Sequence, residues 1–201
     1  MREKYALITV NNKTGLKEFV LGLESMNYNF VASKVCAKLL ESWHIKVKVA
    51  SEITGYPPIM GKKGIKLIHP KIFGGILADP SKKRHRADMK KYGIKPFSIV
   101  ICNFYPFERT ISSVNHKYEK AIENIDIGGP SMVRCAAKNY KNVAIITDPA
   151  DYKKIIDELK DSGTVNLGTR KKLALKAFKR TKEYDGAIID YLTKRFGGGV
   201  I

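Results

Sequence analysis

The stretch IENIDIGGPSMVRCAAKN, residues 122–139, sets a carboxylate between two isoleucines and closes what reads as a helix with a lysine. Asp126 falls where a buried strand end or turn would exclude charge. Lys138 ends a run, Ser131 to Ala137, that is small or apolar apart from Arg134. Two opposite charges brought to one place could move protons at a bound substrate. The alternative is an ordinary turn followed by a solvated helix end, and the residues of this stretch leave both readings open.

Positioning such groups falls to an alternating strand and helix pattern. YALITV (5–10) predicts a β-branched strand, and after the loop NNKTG the residues Leu16, Phe19, Val20 and Leu23 recur at helical spacing. YNFVAS (28–33) predicts a second strand, Ala37 to Trp43 a second helix, and IKVKVA (45–50) a third strand. Residues 51–80 are rich in Gly and Pro and read as a long functional loop with a short helix after Pro70. Residues 81–92 are charged and helix-capable. FSIVICNF (97–104) and NVAIIT (142–147) predict two more strands. DPADYKKIIDEL begins a helix with an Asp cap and a proline, and 167–196 is mainly helical.

Apolar strands separated by helices predict an α/β fold: a mostly parallel sheet with helices on both faces. Ligands of such folds bind at the carboxyl ends of strands. Here those ends are Asn11–Lys13, Ser33–Cys36, Cys102–Tyr105 and Thr147–Asp148.

The 201 residues suit one domain, taken as 1–196, with a frayed tail at 197–201. No apolar run approaches the ~18 residues of a membrane helix, and the N-terminal apolar segment is too short for a signal peptide. No membrane partner is expected. Three widely spaced cysteines, with no CxxC or Cys/His cluster, support neither a disulfide framework nor a metal site, and a reducing cytoplasmic setting is the default. The net charge of +18 would favour a polyanion. The lysines are spread along the whole chain without any nucleic-acid-binding signature, however, so nucleic acid is not the expected partner. A phosphorylated small substrate accounts for the local basic positions equally well.

LITVNNKTGLKEF, SEITGYP, KLIHPKIFGGILA, NFYPFE, IENIDIGGPSMVRCAAKN, DPADY and TRKKLALKAFKRTKEYDGAI follow one another in this chain from about Tyr5 to Phe196. In that order they resemble the IMP cyclohydrolase domain of the bifunctional AICAR transformylase/IMP cyclohydrolase. The resemblance implies a methylglyoxal-synthase-like fold, a homodimer, and a reaction that needs no metal or organic cofactor. The carboxamide nitrogen of 5-formamidoimidazole-4-carboxamide ribotide (FAICAR) attacks the formyl carbon, and loss of water gives inosine monophosphate (IMP). The family's transformylase domain lies beyond the stretch that residues 1–201 resemble, so formyl transfer from folate is not expected of them.

By resemblance the catalytic roles fall on Lys66, Tyr105, Asp126 and Lys138. Lys138 would give and take the proton. A free lysine titrates near ~10.4, so burial or a second cation must favour its neutral form. Lys66 would be that cation and would stabilise the formyl oxygen. Asp126 would orient an amide or a lysine, and Tyr105 would pass a proton or position the formamide. His69 is expected only to fix its loop. The substrate contacts would come from Asn11, Asn12 and Lys13; from Ser33, Lys34, Val35 and Cys36; from Gly64, Ile65, Lys66 and Leu67; from Cys102 and Asn103; and from Asp126, Ile127 and Gly128. The glycines at 128 and 129 would let backbone approach a flat ring closely, and Pro130 would start the next helix.

The phosphate-binding strings depart from the family's. Asn11-Asn12-Lys13 stands for Ser-Asp-Lys, and Ser33-Lys34-Val35-Cys36 stands for a Ser-Gly-Gly-Thr type of cradle. Gly64-Ile65-Lys66-Leu67 stands for Arg-Val-Lys-Thr. Val and Lys adopt positive φ only at a cost, and an arginine fork is lost. The sequence therefore leaves two classes open: an active cyclohydrolase with a rebuilt phosphate cradle, or a diverged, non-catalytic nucleotide-binding or dimerising homologue.

Overall fold

A computed structural model describes residues 3–57, 59–60, 67–105, 107–112 and 116–197. Five short strands, β1 (Lys4–Thr9), β2 (Tyr28–Ala32), β3 (Val47–Val49), β4 (Ile99–Cys102) and β5 (Ala144–Ile146), form one sheet in the order β3-β2-β1-β4-β5. Every pairing is parallel. β1, β4 and β5 are buried almost end to end, with Ala6, Leu7, Ile8, Val100, Cys102, Ala144, Ile145 and Ile146 exposing none of their surface, whereas the edge strand β3 is only half-buried. Such strands need cover on both faces, as their unbroken apolar runs predict.

The cover comes from helices α1 (Leu16–Ser25), α2 (Lys34–Ser42), α3 (Ala50–Thr54), α4 (Pro70–Leu77), α5 (Lys83–Tyr92), α6 (Phe107–Ile111), α7 (Tyr118–Glu123), α8 (Gly128–Lys138), α9 (Tyr152–Ser162) and α10 (Leu167–Arg195). Right-handed crossovers that step from β1 towards β3 place α1 and α2 on one face, and those that step from β4 to β5 place α8 on the other. α9 returns to the first face, where Tyr152 stacks on Phe19 at 4.2 Å. α10 packs against α8 and β5, and α4 also packs on α8. The fold class is the expected one.

The predicted strands are longer than those formed. IKVKVA pairs only over Val47–Val49, and FSIVICNF only over Ile99–Cys102. DPADY opens with a 3-10 turn at Pro149–Asp151, and α9 begins at Tyr152. The Gly- and Pro-rich region holds the short helix expected after Pro70, which is α4, and is less of a loop than expected only at its start, where α3 occupies Ala50–Thr54. His69 caps α4, its Nδ1 accepting the Lys71 N–H at 3.1 Å, which is the loop-fixing role foreseen for it. Among the described residues no helix is long and apolar enough to cross a membrane. The expected frayed tail lies outside the described residues from 198 onward.

Candidate active site

The strand order creates one switch point. From β1 the chain moves to β2 and from β4 it moves to β5, in opposite directions, so the loops leaving these neighbouring strands part and open a crevice at their carboxyl ends. Thr9 pairs with Cys102 at that edge, and Ile8 pairs with Ala32. Three of the predicted segments, Asn11–Lys13, Ser33–Cys36 and Cys102–Asn103, therefore stand side by side.

Asn103 ties two of them together. Its Oδ1 accepts the backbone N–H of Asn11 at 2.6 Å and of Asn12 at 2.9 Å, and its Nδ2 donates to the Asn12 carbonyl at 3.0 Å. Asn12 Oδ1 in turn accepts the Thr14 N–H at 3.0 Å. Gly15, at φ +64°, then makes the left-handed step into α1. Asn11, Asn12 and Lys13 are exposed above this brace.

The Ser33–Cys36 segment winds directly into α2. Ser33 is extended at φ −60° and ψ 152°, and its side chain makes no capping bond. Among the described residues the non-glycine positions with positive φ are Asn27, His44 and Met60. No left-handed residue is needed at 33–36, so the missing glycines carry no backbone penalty there. The first N–H groups of a helix lack intrahelical acceptors and carry partial positive charge, which suits a phosphate. Lys34 and Val35 are exposed beside them. The Cys36 side chain points elsewhere: it is buried, and its Sγ accepts the Val10 N–H at 3.3 Å.

Asp126 is half-buried and held from two sides. Its Oδ1 accepts the Gly129 N–H at 2.8 Å, satisfying one of the first amides of α8. Its own backbone N–H donates to the Tyr184 hydroxyl at 2.7 Å. A Cβ on Gly129 would sit 2.7 Å from Asp126 Oδ2 and 3.2 Å from the Phe104 ring. Gly129 is thus required by the carboxylate and the Phe104 ring beside it, not by approach to a ligand ring. Gly128 has nothing within 4 Å of such a Cβ. The helix starts at Gly128 rather than at Pro130. Ile127 is 64% exposed at the rim.

Below this turn Cys102 is fully buried, with Sγ 3.7 Å from the Gly129 carbonyl. Burial, then the nearby Asp126 carboxylate and Cys36, push its thiol well above the usual value, so it packs as a neutral group. Tyr105 is 38% exposed at the crevice, between the buried anchors Phe104 and Phe107. Both anchors lie against Tyr184, at centroid distances of 5.0 Å and 6.4 Å. Arg180 covers the Phe104 ring at 5.4 Å and the Tyr184 ring at 5.9 Å, and pairs with Glu108 at 3.3 Å.

Lys138 does not join Asp126 within the chain. It is the exposed last residue of α8, and the 11 residues of that helix, at ~1.5 Å rise each, put roughly 16 Å between its ends. A straight helix carries a side chain away from its own N-terminus; it does not return it. Leu67, where the family has a hydroxyl, is buried in the core. Gly64, Ile65 and Lys66 lie outside the described residues, as do Lys62 and Lys63.

Tyr184 and Arg180 are the residues that sequence reasoning passed over. A signal was present: Leu173, Ala177, Thr181 and Tyr184 recur at helical spacing and form the buried face of α10. A tyrosine in that stripe must find a partner for its hydroxyl. Among the described residues no group of three His, Cys, Asp or Glu side chains is placed to share a metal ion.

Residues 15–131 match the family described as MGS-like domain, and residues 136–199 match the family described as AICARFT/IMPCHase bienzyme. The chain is 45% identical over 195 residues to the bifunctional purine biosynthesis protein PurH of Bacillus mycoides, covering 97% of this chain and 38% of that protein. It is 46% identical over 192 residues to the protein of the same name from Persephonella marina, covering 96% and 37%. The chain thus spans well under half the length of these relatives. Among solved structures, that of ForH superposes with a TM-score of 0.80 at 27% identity, covering 94% of this chain and 98% of that one.

Proposed function

The chain belongs to the MGS-like domain family, and from that membership we propose that it is an IMP cyclohydrolase of purine biosynthesis, built as one domain over residues 1–196 and working in the cytoplasm. FAICAR is the substrate and IMP the product. The carboxamide nitrogen attacks the formyl carbon. One proton leaves that nitrogen, one leaves the formamide nitrogen, and the formyl oxygen departs with both as water.

The observation that carries this reading is the seat of Asp126, a half-buried carboxylate fixed at the N-terminus of α8 beside the crevice where β1 and β4 part. A carboxylate so held orients the amide whose nitrogen attacks, and the first amides of α8, at Ile127 and Gly128, meet the oxygen as it gains negative charge. The phosphate rests on the first turn of α2, with Lys13 and Lys34 as counter-charges. Tyr105 stands at the formyl end, and the stabilising cation that the resemblance assigns to Lys66 would serve the formyl oxygen. The α2 geometry removes the objection that the phosphate cradle is degraded, because the first-turn amides are available without the family's glycines. Turnover is what separates the catalytic reading from a diverged, non-catalytic nucleotide-binding or dimerising homologue.

Lys138 fits the reaction only if a second copy supplies it, since its own Asp126 is a helix length away. The homodimer is then part of the site: the exposed end of one α8 approaches the crevice of the partner.

The test mixes purified protein with the formylated ribotide and follows formation of the purine chromophore. Turnover above the buffer rate, abolished by Lys138→Ala in a folded protein, is the expected result. A rate equal to buffer at saturating substrate removes the enzyme reading.

A further inference from the structure

A second concavity lies at the opposite, amino edge of the sheet. It is a cleft of about 750 Å³, within the size range of small-molecule sites. Its walls come from the residues that enter the strands: Lys4 at β1, Met26 before β2, Phe97 and Ser98 before β4, and Asn142 before β5, with Arg170 of α10 closing one side. None of the residues assigned above to the cyclohydrolase crevice lines it.

The polar groups of this wall are incompletely paired. Arg170 Nη1 donates to the Lys141 carbonyl. Its Nε is sealed from solvent and has no hydrogen-bond partner. Ser98 Oγ is likewise buried, close to the Tyr28 hydroxyl but outside hydrogen-bonding geometry. Arg170 forms no ion pair among the described residues, and its burial depresses its pKa. A guanidinium taken partly out of water without a counter-charge is costly, and an oxyanion offsets that cost through charge-assisted hydrogen bonds.

The acidic groups of the cleft are already engaged. Glu3 Oε2 accepts from Lys95 Nζ at 3.0 Å and from the Tyr5 hydroxyl at 3.0 Å. Asp79 Oδ1 accepts the Ser81 N–H at 3.0 Å and its hydroxyl at 2.6 Å. Glu3 is neutralised by Lys95, whereas Asp79 is bonded by neutral Ser81 groups and keeps its charge. Arg170 and Lys4 at the rim outnumber it, so the balance of the cleft is positive. The next residues, Lys82, Lys83 and Arg86 at the start of α5, extend that positive field. Phe97, Met26, Pro80 and Pro96 offer apolar surface beside it.

We propose that this amino-edge cleft binds a small organic anion, a carboxylate or phosphate on an apolar body, with Arg170 holding the charged head. The site is separate from the cyclohydrolase crevice, and the proposal does not depend on the chain's catalytic activity.

The probes are benzoate, phenyl phosphate and the neutral benzyl alcohol, titrated into the ¹⁵N-labelled full chain and read by two-dimensional NMR. Saturable shifts at the Arg170 Nε–H and at the Ser98 and Asn142 amides are expected with the two anions and not with the alcohol, while Gly129 stays still. Preference for one anion identifies the head group. Arg170→Gln is expected to weaken binding roughly tenfold or more. Equal shifts with benzyl alcohol, shifts confined to Gly129 and its neighbours, or affinity unchanged in Arg170→Gln would overturn the proposal. If Arg170→Gln does not fold, Lys4→Gln serves instead: weaker binding of both anions supports the site, and unaltered binding rejects it.

Discussion

The Tyr184 hydroxyl accepts the backbone N–H of Asp126 at 2.7 Å, from a residue only 1% exposed on the buried face of α10. Burial pushes the Tyr184 phenol up to about 12, so it keeps its proton throughout the physiological range. The contact fixes the turn that presents the candidate carboxylate. The same ring supports Phe104 and Phe107 on either side of Tyr105. One side chain thus supports two of the proposed reacting groups.

Tyr184→Phe keeps the ring and removes the acceptor. The Asp126 N–H is then left unpaired, at a cost of about 1–3 kcal/mol. Urea denaturation is expected to show that loss with an unchanged slope. Amide exchange at Asp126 is expected to quicken, and cyclisation to slow more in kcat than in KM. Exchange at Asp126 as slow as in the wild type would mean that the hydroxyl does not hold the turn.

The two glycines of this turn are expected to behave differently. Gly129→Ala drives a methyl into the Asp126 carboxylate and the Phe104 ring, an overpacking that costs about 1–3 kcal/mol. Gly128→Ala meets open space and is expected within about 0.5 kcal/mol of wild type. Thermal melts of the pair, measured side by side, decide this; equal losses would place the requirement in backbone freedom rather than in the carboxylate.

If Lys138 crosses between copies, two inactive proteins are expected to rescue one another. Asp126→Asn and Lys138→Ala, each inactive alone, regain turnover on mixing and re-association, because a mixed dimer holds one site with both native residues. Continued inactivity of the mixture, with exchange of subunits verified, would place Lys138 outside the reaction.

Acid sensitivity is expected from the loop after β5. Lys176 bridges Asp148 at 2.7 Å and Asp151 at 2.8 Å. The Lys176 bond, then the Ala150 N–H, holds the Asp148 carboxyl below its ordinary value. The folded pKa lies below the unfolded one, so the contribution is present above the unfolded value near ~4 and fades as pH falls through the folded value. The pair is partly exposed and its contribution small. Denaturation at pH 7 and pH 3 is expected to show a smaller acid loss for Asp148→Asn than for wild type; equal losses would rule the bridge out as a source.

The sheet was legible because each strand is a β-branched apolar run whose burial leaves it little choice of structure, as in YALITV and NVAIIT. The ends of the runs were not legible. Thr147 and Phe104 are apolar enough or β-branched enough to extend a strand, but their backbones leave the ladder to build loops. The predicted site was legible as residue types and only partly as positions. Asn103 was foreseen as a ligand contact, whereas its amide is spent on the Asn11–Asn12 backbone. Asp126 and Lys138 looked like partners by proximity in sequence, and helix geometry separates them. The loss of glycines at Lys34 and Val35 looked damaging only because the family's backbone was assumed; a helical first turn asks for none.

Asn103 also links the loops mechanically. One amide spans both banks of the crevice, so a pull on Asn12 reaches Phe104 and Tyr105 through a single residue. The phosphate end and the formyl end of a bound ribotide would therefore be gauged together. Anyone reshaping this chain for a longer or shorter nucleotide should vary positions 11, 12 and 103 as a set, because a change to one alone would misalign both banks.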